Sequence, residues 1–146
     1  MGGQSSIDEW AVTGRRAWPR GTLSVVLALV AASAVYGGVG LIANGIGMPS
    51  EWLRSTPFSS WLLPGIALLV TVALPQLAAA GLIAVGHRWA ALAGVLAGAG
   101  LVLWIVVQVL LMRRYFFLQP VIAATGVVEM LLARWWTVRD HRRSAD

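Results

Sequence analysis

The sequence contains no cysteine and no lysine, and charged residues make up only 12% of its 146 positions. Without cysteine the chain has no disulfide, no thiolate ligand for zinc or for an iron–sulfur cluster, and no thiol nucleophile. Ordinary globular domains carry about 25% charged residues, so the composition excludes a soluble domain or a charge-rich disordered chain. With 58% apolar residues and a mean hydropathy of +0.76, it indicates a small membrane protein instead.

All basic residues are arginines that lie outside or at the ends of the long apolar runs. They are Arg15, Arg16, Arg20, Arg54, Arg88, Arg113, Arg114, Arg134, Arg139, Arg142 and Arg143. Flanking arginines are typical of membrane spans, because a charge at the bilayer centre costs about 2.5–3.5 kcal/mol. We therefore expect a lipid bilayer and not nucleic acid as the partner of this basic chain. The lack of lysine beside abundant alanine and glycine suggests a GC-rich bacterial source, which predicts the inner membrane as the location.

The apolar runs predict an all-α, polytopic membrane protein with a bundle of four transmembrane helices. A helix rises about 1.5 Å per residue, so about 20 apolar residues cross the ~30 Å hydrocarbon core. The predicted spans are residues 22–43, 61–85, 89–112 and 115–136, between an amphipathic tail (1–21) and a basic tail (137–146). A cleaved signal peptide is the alternative for the first run, since Ala32, Ser33 and Ala34 fit a cleavage pattern.

The arginines also predict the orientation of the spans. Cytoplasmic termini place eight arginines inside and three outside, with Arg113 and Arg114 as the discordant outer pair. Pro75, near the middle of the second span, predicts a kink, because proline removes a backbone donor and clashes one turn back. Neighbouring helices or a hydroxyl such as that of Thr71 are expected to satisfy the distorted backbone.

Glu129 is the single ionisable residue that lies well inside a predicted span. An intramembrane carboxyl group is costly to bury and needs a partner. Helical spacing places it on one face with Gln119, Ile122 and Gly126, bordered by Thr125. This face is polar and made of small residues, so we expect it to point into the bundle.

The other spans contribute further polar and small residues to the predicted interior. The polar candidates are Gln76, Gln108 and Tyr36, and the glycines expected to allow close helix packing are Gly37, Gly94, Gly98 and Gly126. Two interpretations of Glu129 stay open: hydrogen bonding between helices, or a titrating or ligand-contacting carboxyl group. A third places Glu129 against a partner subunit or towards the cytoplasmic interface.

Nothing in the sequence predicts a catalytic, metal or cofactor site. His87 and His141 have no carboxylate or second histidine at ligand spacing. No serine-centred elbow, phosphate-cradling glycine loop or haem-ligating histidine pair occurs. We therefore expect no enzyme activity, no metal and no cofactor. The outer loop, residues 44–60, is expected to hold a short amphipathic turn at the membrane interface.

Three segments carry a resemblance to a known family. A glycine-rich first span ends in a GMPSEWL-type loop (47–53), the second span ends in Gly86-His87-Arg88-Trp89, and the third is rich in glycine and alanine. This layout, over residues 36–104, resembles the DoxX-like group of small bacterial four-span membrane proteins. The resemblance implies the four-span topology. The chain has Gln76 where that family tends to place an acidic residue.

The sequence leaves three hypotheses for function. The first is a non-enzymatic accessory or scaffold subunit that binds itself or a larger membrane complex. The second is a small proton-coupled transporter that uses Glu129. The third is a membrane enzyme acting on a lipid or quinone, which would need a second catalytic group.

Overall fold

The computed structural model describes the backbone of residues 4–113 and 118–143, and the side chains within 20–54, 56–113 and 118–138. In this part of the chain all regular structure is helical. The helices are α1 (Gln4–Asn44), α2 (Leu62–Leu68), α3 (Leu74–Ala84), α4 (Ala90–Met112) and α5 (Leu118–Arg143). A π-helical turn, Leu69–Ala73, joins α2 to α3, and the 3₁₀ turns Gly45–Gly47 and Ser50–Ser55 follow α1.

Four helical segments are long and apolar enough to cross a membrane. They are Arg20–Gly47, Leu62–Ala84, Ala90–Met112 and Leu118–Val138. The all-helical class and the four apolar segments expected from the sequence are thus confirmed. The segment predicted as a separate amino-terminal tail is helical from Gln4 and continues into the first apolar segment without a break. The expected start of the fourth span, residues 115–117, lies outside the described residues.

Pro75 distorts the second apolar segment, and the distortion is a π-helical turn. The Leu74 N–H bonds to the Leu69 carbonyl, five residues back, which widens the helix just before the proline ring. A wider turn accommodates a residue that has no N–H and that clashes with the preceding turn. The Thr71 hydroxyl donates to the Ala67 carbonyl at 2.7 Å, so it stabilises the turn before the proline.

The helices pack in a ring around a core of alanine and larger aliphatic side chains. Helix α1 packs against α2, the π-helical turn, α3 and α5, while α4 packs against α3 and α5. The second apolar segment and α5 therefore occupy opposite corners of the bundle. Two buried clusters fill its interior: Leu23, Leu27, Ala79, Ile83, Ala90, Ala97 and Ala133 form one, and Ala34, Val72, Ala73 and Leu101 form the other.

The turn between α3 and α4 is closed by backbone geometry and by His87. Gly86 has a φ of +67°, which a side chain would strain. The His87 N–H bonds back to the Leu82 carbonyl at 2.9 Å and the Gly86 N–H to the Ile83 carbonyl at 3.1 Å, a Schellman motif. His87 Nδ1 then accepts from the Trp89 N–H at 3.2 Å. This exposed histidine thus helps to start α4.

Candidate functional site

Gln76 and Glu129 meet in the centre of the bundle. Both side chains are 0% exposed, and Gln76 Nε2 donates to Glu129 Oε2 at 2.9 Å. Because α3 and α5 stand at opposite corners, this hydrogen bond crosses the interior along a diagonal. The structure therefore brings together two residues that the sequence placed in a polar interior, and it gives Glu129 an amide partner.

Each member of the pair keeps one unsatisfied oxygen. Gln76 Oε1 and Glu129 Oε1 are buried, and neither finds a hydrogen-bond partner in the described part of the chain. A buried polar atom without a partner costs about 1–3 kcal/mol. The pair therefore still has the capacity to accept a hydrogen bond from one or two further donors.

Two glycines bring the backbones of α4 and α5 into contact beside Glu129. A Cβ atom on Gly98 would lie 2.5 Å from the Gly126 carbonyl oxygen and 3.1 Å from the Glu129 Cβ. A Cβ on Gly126 would lie 2.7 Å from the Gly98 carbonyl oxygen. One turn further along, Gly94 packs against Ala133, with 3.3 Å between its Cβ position and the Ala133 Cβ. The helices cross closely here because these positions lack side chains.

The corresponding contact between α1 and α2 lies at Gly38, one residue away from the predicted Gly37. A Cβ on Gly38 would be 3.1 Å from the Gly65 carbonyl oxygen, and one on Gly65 would be 2.8 Å from the Gly38 carbonyl oxygen. Gly37 has only ordinary van der Waals space, with its Cβ position 3.4 Å from the Leu68 side chain. Ala34 and Gly38 share the buried face, but Ala28 and Ala32 repeat in the same way on the exposed face, so the spacing of small residues does not by itself predict this contact.

No hydrogen bond in the described residues links the remaining polar candidates to Gln76 or Glu129. Gln119 is 4% exposed and has a polar interaction of its own. Gln108, near the carboxyl end of α4, is only partly buried. The Thr125 hydroxyl donates to the Val121 carbonyl at 3.0 Å, within its own helix. Ile122, expected on the interior face, is 37% exposed.

Tyr36 corrects the sequence prediction, because it lies on the outer face of α1 and not in the interior. Its side chain is 78% exposed. Successive helical residues are about 100° apart, so Tyr36 points away from Ala34 and Gly38, which are buried on either side of it in sequence. No described residue accepts a hydrogen bond from its hydroxyl. An apolar stretch of α1 has no polar face, so its rotation was not predictable from composition.

The outer face of α1 carries a groove of about 820 Å³. Its lining includes Ala28, Ala32, Tyr36 and Gly40, which recur every four residues and therefore share one helix face, with Leu77 of α3 at one side. Tyr36 is within three residues of the midpoint of Arg20–Gly47, about 4 Å along the axis at ~1.5 Å per residue. Helical side chains lean towards the helix amino terminus, which brings the hydroxyl still nearer to the middle of the segment.

Among the described residues, no group of three or more histidine, aspartate or glutamate side chains comes together. His87 serves the turn before α4, and the side chain of His141 lies outside the described part. No protein-family model, curated protein or solved structure matches the chain.

Proposed function

We propose that this chain is a non-enzymatic, multi-pass protein of the bacterial inner membrane. In this proposal it acts as an accessory or scaffold subunit that associates with itself or with a larger membrane complex through the outer face of α1. The observation that carries the proposal is Tyr36, a phenol that is 78% exposed near the middle of an apolar segment. Lipid tails cannot accept a hydrogen bond from its hydroxyl, whereas a neighbouring helix can.

The groove around Tyr36 fits a transmembrane helix. Helix association in membranes depends on close van der Waals packing and interhelical hydrogen bonds, since lipid is as apolar as the side chains. Ala28 and Ala32 allow a second backbone to approach, and the Tyr36 hydroxyl supplies the polar contact. Two copies inserted with the same orientation would present this face to each other at the same depth, with Tyr36 against the matching part of the partner's groove.

The proposal assigns Glu129 a structural role inside one subunit. Glu129 is 0% exposed, accepts from Gln76 and lies beside the contact between Gly98 and Gly126. A buried polar pair between helices is a common way to hold a membrane bundle together, at about 0.6 kcal/mol for an average hydrogen bond. We therefore expect Glu129→Gln to leave the protein folded and its physiological role intact.

The same proposal includes the orientation and the layout expected from the sequence. Four spans put both termini on one side of the membrane, and the excess of arginine favours the cytoplasm. The arrangement is consistent with a DoxX-like topology, which remains part of the proposal.

The absence of cysteine from the whole chain allows a sharp test of the α1 face. Ala32→Cys introduces a unique thiol in the groove, and Ala99→Cys introduces one on the exposed face of α4 at a similar depth. Oxidative cross-linking in intact membranes should give a covalent dimer, or a cross-link to another membrane protein, for Ala32→Cys only. Equal cross-linking of the two variants, or none for either, would contradict the proposed association face.

A second candidate, a proton-coupled transporter, is favoured by one observation. Gln76 Oε1 and Glu129 Oε1 are buried without partners in the described residues, so the pair can still accept a proton or a hydrogen bond. This role requires Glu129 to exchange protons with water during the cycle. Substrate efflux from proteoliposomes that is abolished by Glu129→Gln would support it, and efflux that is unchanged would rule it out.

A further inference from the structure

One end of the bundle carries arginines without described counter-charges. Arg20 lies where α1 enters the bundle, Arg88 lies just before α4, and Arg134 lies near the end of the apolar part of α5. All three side chains are exposed. The described acidic side chains lie elsewhere: Glu51 is in the loop at the opposite end, and Glu129 is buried against Gln76. Among the described side chains, this end of the protein therefore carries an excess of positive charge.

Two of these arginines are held by aromatic rings. Arg20 Cζ lies 4.8 Å from the centroid of the Trp136 ring, and Arg88 Cζ lies 5.3 Å from that of Trp89. One terminal nitrogen of Arg20 is 3.6 Å from the Cβ position of Gly86. The Arg20 guanidinium thus lies where α1, the turn between α3 and α4, and α5 come together.

Packing on an aromatic ring does not by itself use up the donors of an arginine. A guanidinium that stacks its flat face on a ring still presents its N–H groups at its edge. None of the hydrogen bonds seen in the described residues uses the N–H groups of Arg20 or Arg88. A planar group with several parallel donors matches the oxygens of a phosphate.

We propose that Arg20 and Arg88 bind the phosphates of anionic phospholipid headgroups at this end of the bundle. The inference rests on the membrane location in the proposed function and not on the α1 groove. Tryptophan rings such as those of Trp89 and Trp136 favour the depth of the headgroups, which would place the guanidinium edges among lipid phosphates. A soluble phosphate shares this chemistry but lacks the acyl chains that hold the headgroup at that depth.

The experiment is a lipid titration of the full chain in micelles of an uncharged detergent. Phosphatidylglycerol, phosphatidylcholine and inorganic phosphate are added separately, and the apparent Kd is obtained from the rise in melting temperature. We expect phosphatidylglycerol to bind most tightly. Arg20→Gln and Arg88→Gln should each weaken its binding about fivefold, since one arginine near an anionic surface contributes about a factor of five.

The matched control is Arg54→Gln, which removes an exposed arginine from the loop at the opposite end and should leave the lipid Kd unchanged. Arg20→Lys keeps the charge but not the planar donors, so we expect it to recover only part of the affinity. Full affinity in Arg20→Lys, equal weakening by Arg54→Gln, or equal binding of inorganic phosphate would overturn the proposal. Cross-linking at Ala32 does not depend on these arginines, so the two proposals fail separately.

Discussion

Replacement of Glu129 by alanine should lower the free energy of unfolding by about 3–5 kcal/mol. Truncation of a large buried side chain to alanine costs about 2–5 kcal/mol through lost contacts and the cavity left behind. It also removes the acceptor of the Gln76 Nε2 hydrogen bond, and a buried donor without a partner costs about 1–3 kcal/mol. The unsatisfied Glu129 Oε1 disappears at the same time, which offsets part of that loss.

Replacement by glutamine keeps both the volume and the hydrogen bond and removes only the carboxyl group. Glu129→Gln keeps the shape of the side chain and its ability to accept from Gln76, so it should change the free energy of unfolding by less than about 1 kcal/mol. Denaturant unfolding in mixed micelles, followed by tryptophan fluorescence, measures both variants. Leu131→Ala is the control on the same helix, because Leu131 is 62% exposed and leaves no internal cavity.

A double-mutant cycle with Gln76→Ala then measures the coupling within the pair. Interhelical hydrogen bonds in membrane proteins average about 0.6 kcal/mol and reach about 1.7 kcal/mol, so the coupling free energy should fall in this range. The reasoning fails if Glu129→Gln destabilises the protein as much as Glu129→Ala does. It also fails if the effects of Gln76→Ala and Glu129→Ala are simply additive.

Gly98→Ala and Pro75→Ala test the packing around this pair, with Gly81→Ala as a control. Gly98→Ala should destabilise the bundle by about 1–3 kcal/mol in the same unfolding assay, since its Cβ would lie 2.5 Å from the Gly126 carbonyl oxygen. Gly81 has no atom within 4 Å of its Cβ position, so Gly81→Ala should stabilise α3 by about 0.5–1 kcal/mol. Similar losses of stability in Gly98→Ala and Gly81→Ala would refute this argument. Pro75→Ala should let the π-helical turn return to regular α-helix and lower the coupling between Gln76 and Glu129; an unchanged coupling would contradict that expectation.

The positions of the helices were predictable from sequence, whereas their rotations were predictable only in part. Hydropathy locates an apolar segment whichever way it faces, so the predicted spans agree closely with the observed segments. In α5 the carboxyl group of Glu129 indicates which face must be buried. In α1 no residue is as costly to expose, and small residues lie both on the packed side, as Ala34 and Gly38 do, and on the outer side, as Ala28 and Ala32 do. The predicted burial of Tyr36 was wrong for this reason, and the closest approach between α1 and α2 lies at Gly38 and not at Gly37.

The π-helical turn explains how Gln76 comes to face Glu129. In the turn Leu69–Ala73, backbone N–H groups bond to carbonyls five residues back, whereas in an α-helix they bond four residues back. The residues of α3 are therefore rotated about the helix axis compared with their positions in an uninterrupted α-helix. Each residue of an α-helix turns the chain by about 100°, and Gln76 directly follows Pro75, the cause of the wider turn. The proline, which by itself predicts only a kink, therefore also sets which side of α3 faces the interior, and the pairing of the second apolar segment with α5 depends on it.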